Sequence, residues 1–285
     1  MVVKIIDAHV HLLPDNFNSR MRIWLERRLG VTIPLRMDAP STYLLLREMG
    51  VEYIFNLTHA IEPGNTEPLN RWQASLKERY GNIVAFGAFH PETDASNLYD
   101  IFRDFDLDGL KLHPGVQRFH PDSRRALEIY DVLEDLDKPL LIHSGHFIDS
   151  GYKYTHPHYY ESLVESYSFP VILAHSCYEY FTYLEKFLDI RSNIYADCSL
   201  VMIKEEIISS TLGRSVKYYP PSKEIFENFQ DRILYGSETP ITWWDPTITM
   251  KNVLGLNVDE HVKRKILYEN ARRFMEKYCS ETLFG

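Results

Sequence analysis

The feature that most constrains this chain is a recurrence. Eight short runs of aliphatic, β-branched or aromatic residues, most of them continuously apolar, follow one another with a helical pattern between each pair. They are Val3–Val10, Val51–Leu57, Ile83–Phe89, Gly109–His113, Pro139–His143, Pro170–His175, Ile194–Cys198 and Arg232–Tyr235, with starts 24 to 48 residues apart. A strand with its crossover helix takes about 30 residues, and strands covered on both faces read as unbroken apolar runs. Eight such units close into a barrel of about 250 residues. The chain, 1–285, is therefore read as one α/β domain, a (β/α)8 barrel with insertions in its strand-to-helix loops.

The intervening helices obey the same logic. After Pro121-Asp122-Ser123, apolar residues fall at Ala126, Ile129, Tyr130, Leu133 and Leu136, a stripe at helical spacing behind a start signal. A last helix over 262–278 repeats the pattern with Val262, Ile266, Tyr268, Ala271, Phe274, Met275 and Tyr278. Insertions at about 12–38, 199–222 and 239–258 each follow a strand and precede a helix, so in a barrel all three wall the same mouth. Within the first, Met21–Leu29 reads as a short amphipathic helix with a solvated basic side.

Charge narrows the function classes. With 31 basic against 40 acidic residues, a formal net of −9, the chain repels phosphate backbones, so nucleic acid is excluded in favour of a small-molecule substrate. No apolar run approaches the ~20 residues of a membrane span, and the N-terminal segment meets a charge too early for a signal peptide. A cytoplasmic location is expected. Cys177, Cys198 and Cys279 are too few and too irregularly spaced for a disulfide framework or a cysteine zinc site, and are read as reduced thiols. A homo-oligomer is compatible with the sequence.

The chemistry concentrates at strand ends. Asp7-Ala8-His9-Val10-His11 puts two imidazoles two residues apart, hence on one face of the first strand, and neutral imidazoles side by side suit a divalent cation. His59, His90, His113, His143 and His175 lie at or just beyond the C-terminal ends of strands 2 to 6, so seven of the 12 histidines are expected to ring the mouth where barrel enzymes build their sites. At the end of strand 8, Glu238 in Gly236-Ser237-Glu238-Thr239-Pro240 adds a carboxylate beside strand 1, completing a mixed nitrogen and oxygen shell for a borderline metal. Lys111 and His113 share a face of strand 4, with Lys111 expected to pair with Asp7 or another lumen acid.

These segments together resemble the amidohydrolase superfamily, in particular its amidohydrolase-related branch that includes aminocarboxymuconate-semialdehyde decarboxylase. The likeness rests on Asp7–His11, Gly109–Pro114, Ile142–Gly145, Leu173–His175, Tyr235–Pro240 and Ile266–Phe274, in order and nearly end to end. It implies a TIM-type barrel in which His9, His11 and His143 bind one divalent metal and His175 is a catalytic base. Zinc is the expected ion, with manganese as the alternative. Glu238 stands where the family has aspartate. The extra methylene adds about 1.5 Å of reach, so either the strand end shifts or Glu238 sits behind the ligands as a proton acceptor.

Three activities compete on this reading. In the first, a metal-activated water attacks an ester, lactone or amide carbonyl, with His175 or Glu238 taking the proton. In the second, the same site decarboxylates an unsaturated or aromatic acid, which needs a carboxylate clamp such as Arg20, Arg22 or Arg36. In the third, the barrel has lost turnover and only binds. His113, Lys111, Arg36 and Trp243 are the candidate substrate contacts, and Trp243, Trp244, Tyr152, Tyr154, His156 and His158 are candidates to line an aromatic pocket above the metal.

Overall fold

The computed structural model describes residues 4–213, 215, 217–279 and 283. Eight strands, β1 (Ile5–Val10), β2 (Val51–Leu57), β3 (Ile83–Ala88), β4 (Gly109–Leu112), β5 (Leu140–His143), β6 (Val171–Ala174), β7 (Ile194–Asp197) and β8 (Ile233–Leu234), form one parallel sheet in sequence order. The sheet closes on itself: Ala8 N donates to Tyr235 O (2.8 Å), Glu238 N to His9 O (2.9 Å) and His11 N to Thr239 O (2.9 Å). Strand bounds match the apolar runs to within two residues, except that Val3 lies outside the described residues. Pro139 and Pro170 sit just before their strands. Lacking an N–H, they join the ladder only through carbonyls that accept from Leu110 and Leu140.

Two apolar layers follow from the alternation of side chains. Phe55, Leu57, Val84, Phe86, Leu141, Ile172, Ala174, Tyr195 and Leu234 take the inward positions and form one cluster with Ile6 and Ala8. The opposite parity, with Val10, Ile54, Leu110, Leu140 and Val171, packs against the surrounding helices. Strand β1 breaks strict alternation. Between Asp7 and Val10 it advances three residues while β2 advances two, from Ile54 to Asn56. This bulge lets Ala8 stay in the inner cluster while His9, the very next residue, joins the mouth, and it turns Asp7 aside.

The helix Arg124–Leu136 buries Ala126, Ile129, Tyr130 and Leu133 as the spacing requires. The closing helix is not continuous: Glu260–Arg264 and Asn270–Tyr278 are joined by a π-helical turn at Lys265–Glu269. Ile266 O in that turn accepts from Tyr235 N (2.9 Å), so a carbonyl leaves the helical ladder to anchor the end of β8. The first insertion carries the helix Asp15–Leu29, none of whose residues is buried. It touches the mouth through Trp24, stacked on Phe147 at 6.0 Å, and Arg28, 3.2 Å from Asp149. Among the described residues no helix is long and apolar enough to cross a membrane.

The inner cluster is completed at the bottom by Phe274 and Met275 of the closing helix, with Phe274 at 5.9 Å from Phe55 and 5.0 Å from Tyr195. Phe274→Ala removes this plug from a site with no solvent access. It is expected to lower the unfolding free energy by about 3–5 kcal/mol, measured by urea denaturation.

Candidate active site

The site is assembled around a carboxylate that the sequence reading passed over. Asp197 ends β7 fully buried, and its Oδ2 accepts from His9 Nδ1 (2.8 Å). Its Oδ1 accepts from His175 N (3.1 Å), Ser199 N (3.1 Å) and Ser199 Oγ (2.5 Å). Burial alone would raise the carboxyl, but the imidazoles of His9 and His175 and the Ser199 hydroxyl bring it down to about 2. Its signal in the sequence is a lone acid at the C-terminal end of a barrel strand.

Asp197 also restrains an unusual backbone. His175, Ser176 and Cys177 are consecutive residues in the left-handed region, with φ of 60°, 51° and 53°. Such a run costs roughly 1–2 kcal/mol per residue and persists only where the surroundings determine it. Here Ser176 Oγ donates to Asp197 O (2.7 Å) and Cys177 N to Ser144 Oγ (3.2 Å). The turn carries the His175 ring to 4.9 Å from His9 and 4.7 Å from His143.

Hydrogen-bond direction then fixes where the lone pairs point. His9 spends its Nδ1 proton on Asp197, so Nε2 presents a lone pair, 3.1 Å from Glu238 Oε2. His11 donates Nδ1 to Leu57 O (3.0 Å), which leaves Nε2 facing Glu238 Oε1 at 3.3 Å. Ser199 Oγ, having given its proton to Asp197, accepts from His175 Nδ1 (2.8 Å) and frees a third Nε2. Acceptors thus face acceptors across about 3 Å, an arrangement that calls for positive charge between them. Ligand atoms of His9, His175 and Glu238 lie within 4.8 Å of one another, and His143 Nε2 is buried with no hydrogen-bond partner. This donor set of imidazole nitrogens and one carboxylate fits a divalent cation. Glu238 reaches both histidines from a left-handed backbone (φ 65°).

The remaining candidates are distributed unevenly. His113 stacks on His143 at 3.9 Å and contacts His59 at 5.2 Å, so six of the seven strand-end histidines form a continuous chain of rings. His90 stands apart, with its Nδ1 accepting from Glu92 N. Phe147 lies edge-on to His113 at 4.9 Å. The expected ion pair of Lys111 with Asp7 or another lumen acid does not form: Lys111 is buried and its Nζ has no hydrogen-bond partner. The β1 bulge is the reason, since Asp7 Oδ1 instead accepts from Ser237 N (3.0 Å) and His9 N (3.2 Å). Burial, opposed by Glu238 and Asp197, lowers the Lys111 ammonium to about 8.

Arg36 lies at the surface with Nη2 3.4 Å from Glu26 Oε1. Trp243 is half-buried against Trp244, ring centres 4.8 Å apart. Tyr152 donates to Glu179 Oε2 (2.5 Å), and His156 and His158 pair with each other. All three cysteines are free, two of them buried.

Fold and site together define a TIM-type barrel enzyme with a cation-attracting centre at its C-terminal mouth. The sequence profile of the amidohydrolase family matches residues 6–276, and the chain belongs to that family. It is an enzyme of the amidohydrolase superfamily, a metal-dependent group, and the cluster of His9, His175 and Glu238 can hold a metal. No curated protein matches the sequence. Similar solved structures include an uncharacterised TIM-barrel protein from Bordetella bronchiseptica (18% identity, 96% of this chain and 99% of that one, TM-score 0.71). A probable 2-pyrone-4,6-dicarboxylic acid hydrolase from Acinetobacter baumannii shares 15% identity over 96% of this chain and 99% of that one, with a TM-score of 0.64. A 2,6-dihydroxybenzoate decarboxylase from Rhizobium shares 15% over 97% and 99%, with a TM-score of 0.67. At these identities the likeness establishes the fold.

Burial carries a pH consequence. It lowers the His175 imidazole from 6.5 to about 4, so between those values the unfolded chain binds a proton that the folded chain refuses. Stability from this group is complete above about pH 6.5 and falls as the pH drops towards 4. In chelator-treated protein the urea midpoint is expected to decline across that window, and His175→Gln to flatten the decline by about one proton.

Proposed function

We propose that this chain is a metal-dependent hydrolase of a small-molecule ester, lactone or amide, with His9, His11, His143 and Glu238 holding one divalent cation, zinc or alternatively manganese. The observation that carries the reading is the convergence of imidazole lone pairs on the Glu238 carboxylate. When bound, such a cation supplies a water acidified towards neutrality and a Lewis acid for a carbonyl oxygen.

The protein's own groups manage protons and charge. His175, neutral at pH 7 with Nδ1 committed to Ser199, offers Nε2 as the proton acceptor. Once protonated it is a buried cation beside Glu238, 4.0 Å away, and the cost of keeping that charge in the lumen favours passing the proton to the leaving group. Asp197 positions both His9 and His175, so the cation ligand and the base keep a fixed relation. Lys111 contributes an unpartnered amine within the barrel as an anchor for a substrate carboxylate or oxyanion, His113 and Trp243 wall the mouth, and Arg36 joins only by leaving Glu26. The whole of 1–285 acts as one barrel, and its free thiols suit the reducing cytoplasm.

The Lys111 amine also favours a second reading, decarboxylation of an unsaturated or aromatic acid, because it would hold a carboxylate in either reaction. Product analysis on a panel of lactones, esters and carboxylated aromatics separates the two. Carbon dioxide release without any ester or lactone hydrolysis overturns the hydrolase assignment.

Two outcomes test the metal centre itself. His9→Ala and His143→Ala are expected to cut both bound zinc and turnover by at least about 100-fold, while leaving the far-ultraviolet dichroism unchanged. Asp197→Asn, which alters the shared partner of His9, His175 and Ser199, is expected to weaken zinc binding by about 10–100-fold in a chelator competition assay.

A further inference from the structure

The residues that a substrate has to reach are covered in this structure: His113, His143 and Glu238 keep only 9%, 4% and 8% of their surface exposed. Phe147 is part of the cover, edge-on to His113 at 4.9 Å and to His143 at 6.1 Å. The ring is fixed in place. At Gly115 a Cβ would meet it at 2.7 Å, and its backbone exchanges hydrogen bonds with Gly151 at 3.0 and 2.7 Å. Trp24, from the helix Asp15–Leu29, stacks on Phe147 at 6.0 Å.

Entry therefore needs a part that moves, and the three insertions at this mouth differ in how they are held. Those after β7 and β8 are seated in the core through Val201, Ile203, Trp244 and Val253, all buried. The helix Asp15–Leu29 has no buried residue, and among the described residues no other helix or strand packs along its length. The chain on either side of it is nevertheless anchored, by buried Leu12 and Leu13 before it and by buried Ile33 after it. Two joints lie between helix and anchors. Pro14 has an extended backbone (φ −56°, ψ 146°), and Gly30 is left-handed (φ 70°) with open space where a Cβ would sit.

The ties to the barrel are unequal. Phe17, one turn from Pro14, packs against buried Ala60, Leu69 and Ala88. Trp24 stands about 10 Å further along the axis. One turn beyond it, Arg28 Nε lies 3.2 Å from Asp149 Oδ1, with both side chains more than a third exposed. A single aromatic contact and an exposed ion pair are each weak, so the Trp24 end releases before the Phe17 end. We propose that this helix is a lid, which swings on Pro14 and Gly30 about the Phe17 contact and parts Trp24 from Phe147 and Arg28 from Asp149 to admit substrate. The inference rests on the histidine mouth being the site, and holds for hydrolysis and decarboxylation alike.

The test joins Arg28→Cys and Asp149→Cys with bismaleimidoethane and follows labelling of His113 by diethyl pyrocarbonate, read by mass spectrometry in the same protein before and after crosslinking. Crosslinking is expected to slow labelling of His113 by about tenfold or more, while the exposed His261 labels at an unchanged rate. Trp24→Ala, which removes one tie at a position that is not buried, is expected to speed it about threefold or more. Labelling of His113 at one rate before and after crosslinking, or equally in wild type and Trp24→Ala, overturns the proposal. Hydrolysis of dihydrocoumarin is read alongside. A fall in step with the labelling supports lid and hydrolase together, turnover untouched by the crosslink overturns the lid, and no turnover in either form overturns the hydrolase reading alone, leaving the labelling to decide the lid.

Discussion

Closure of the sheet between β8 and β1 is the constraint on which the rest depends. The hydrogen bonds from Ala8, His11 and Glu238 across that seam bring together residues more than two hundred positions apart, and they set Glu238 between His9 and His11. An open sheet would leave the first and last strands on opposite edges. The apolar cluster inside the barrel, with Phe274 beneath it, makes closure favourable by filling the lumen with side chains rather than water.

The same packing governs the electrostatics at the upper end. Because the side chains there are buried, polar groups must satisfy one another, and Asp197 does so with four separate contacts. Its position dictates the tautomers of two imidazoles, one directly and one through Ser199. Residues that touch no reactant thus set the orientation of those proposed to do so, in the manner of second partners behind metal ligands elsewhere.

Much of this was legible in the sequence. Buried parallel strands must be apolar on both faces, so the eight runs announced themselves, and the stripe from Ala126 to Leu133 could only be a helix against the sheet. The meeting of His9, His11 and Glu238 followed from barrel closure. What escaped was whatever depends on departures from periodicity. The bulge after Asp7 carries no compositional mark, and without it strict alternation put Asp7 in the lumen beside Lys111. The π turn at Lys265–Glu269 hid inside an unbroken helical pattern, because its cause is a hydrogen bond to Tyr235 from another element. Asp197 and Ser199 were invisible as a pair, since their role arises from contacts with residues of other strands.

The helix Asp15–Leu29 has no buried residue and is moored to the barrel by an aromatic stack, an ion pair and the packing of Phe17 against Ala60, Leu69 and Ala88. Apart from Phe17, its amino acids are consequently released from the packing rules that bind the strands and outer helices. Evolution can exchange, lengthen or delete this segment at little thermodynamic cost, and so retune what reaches the rim while the barrel underneath stays the same.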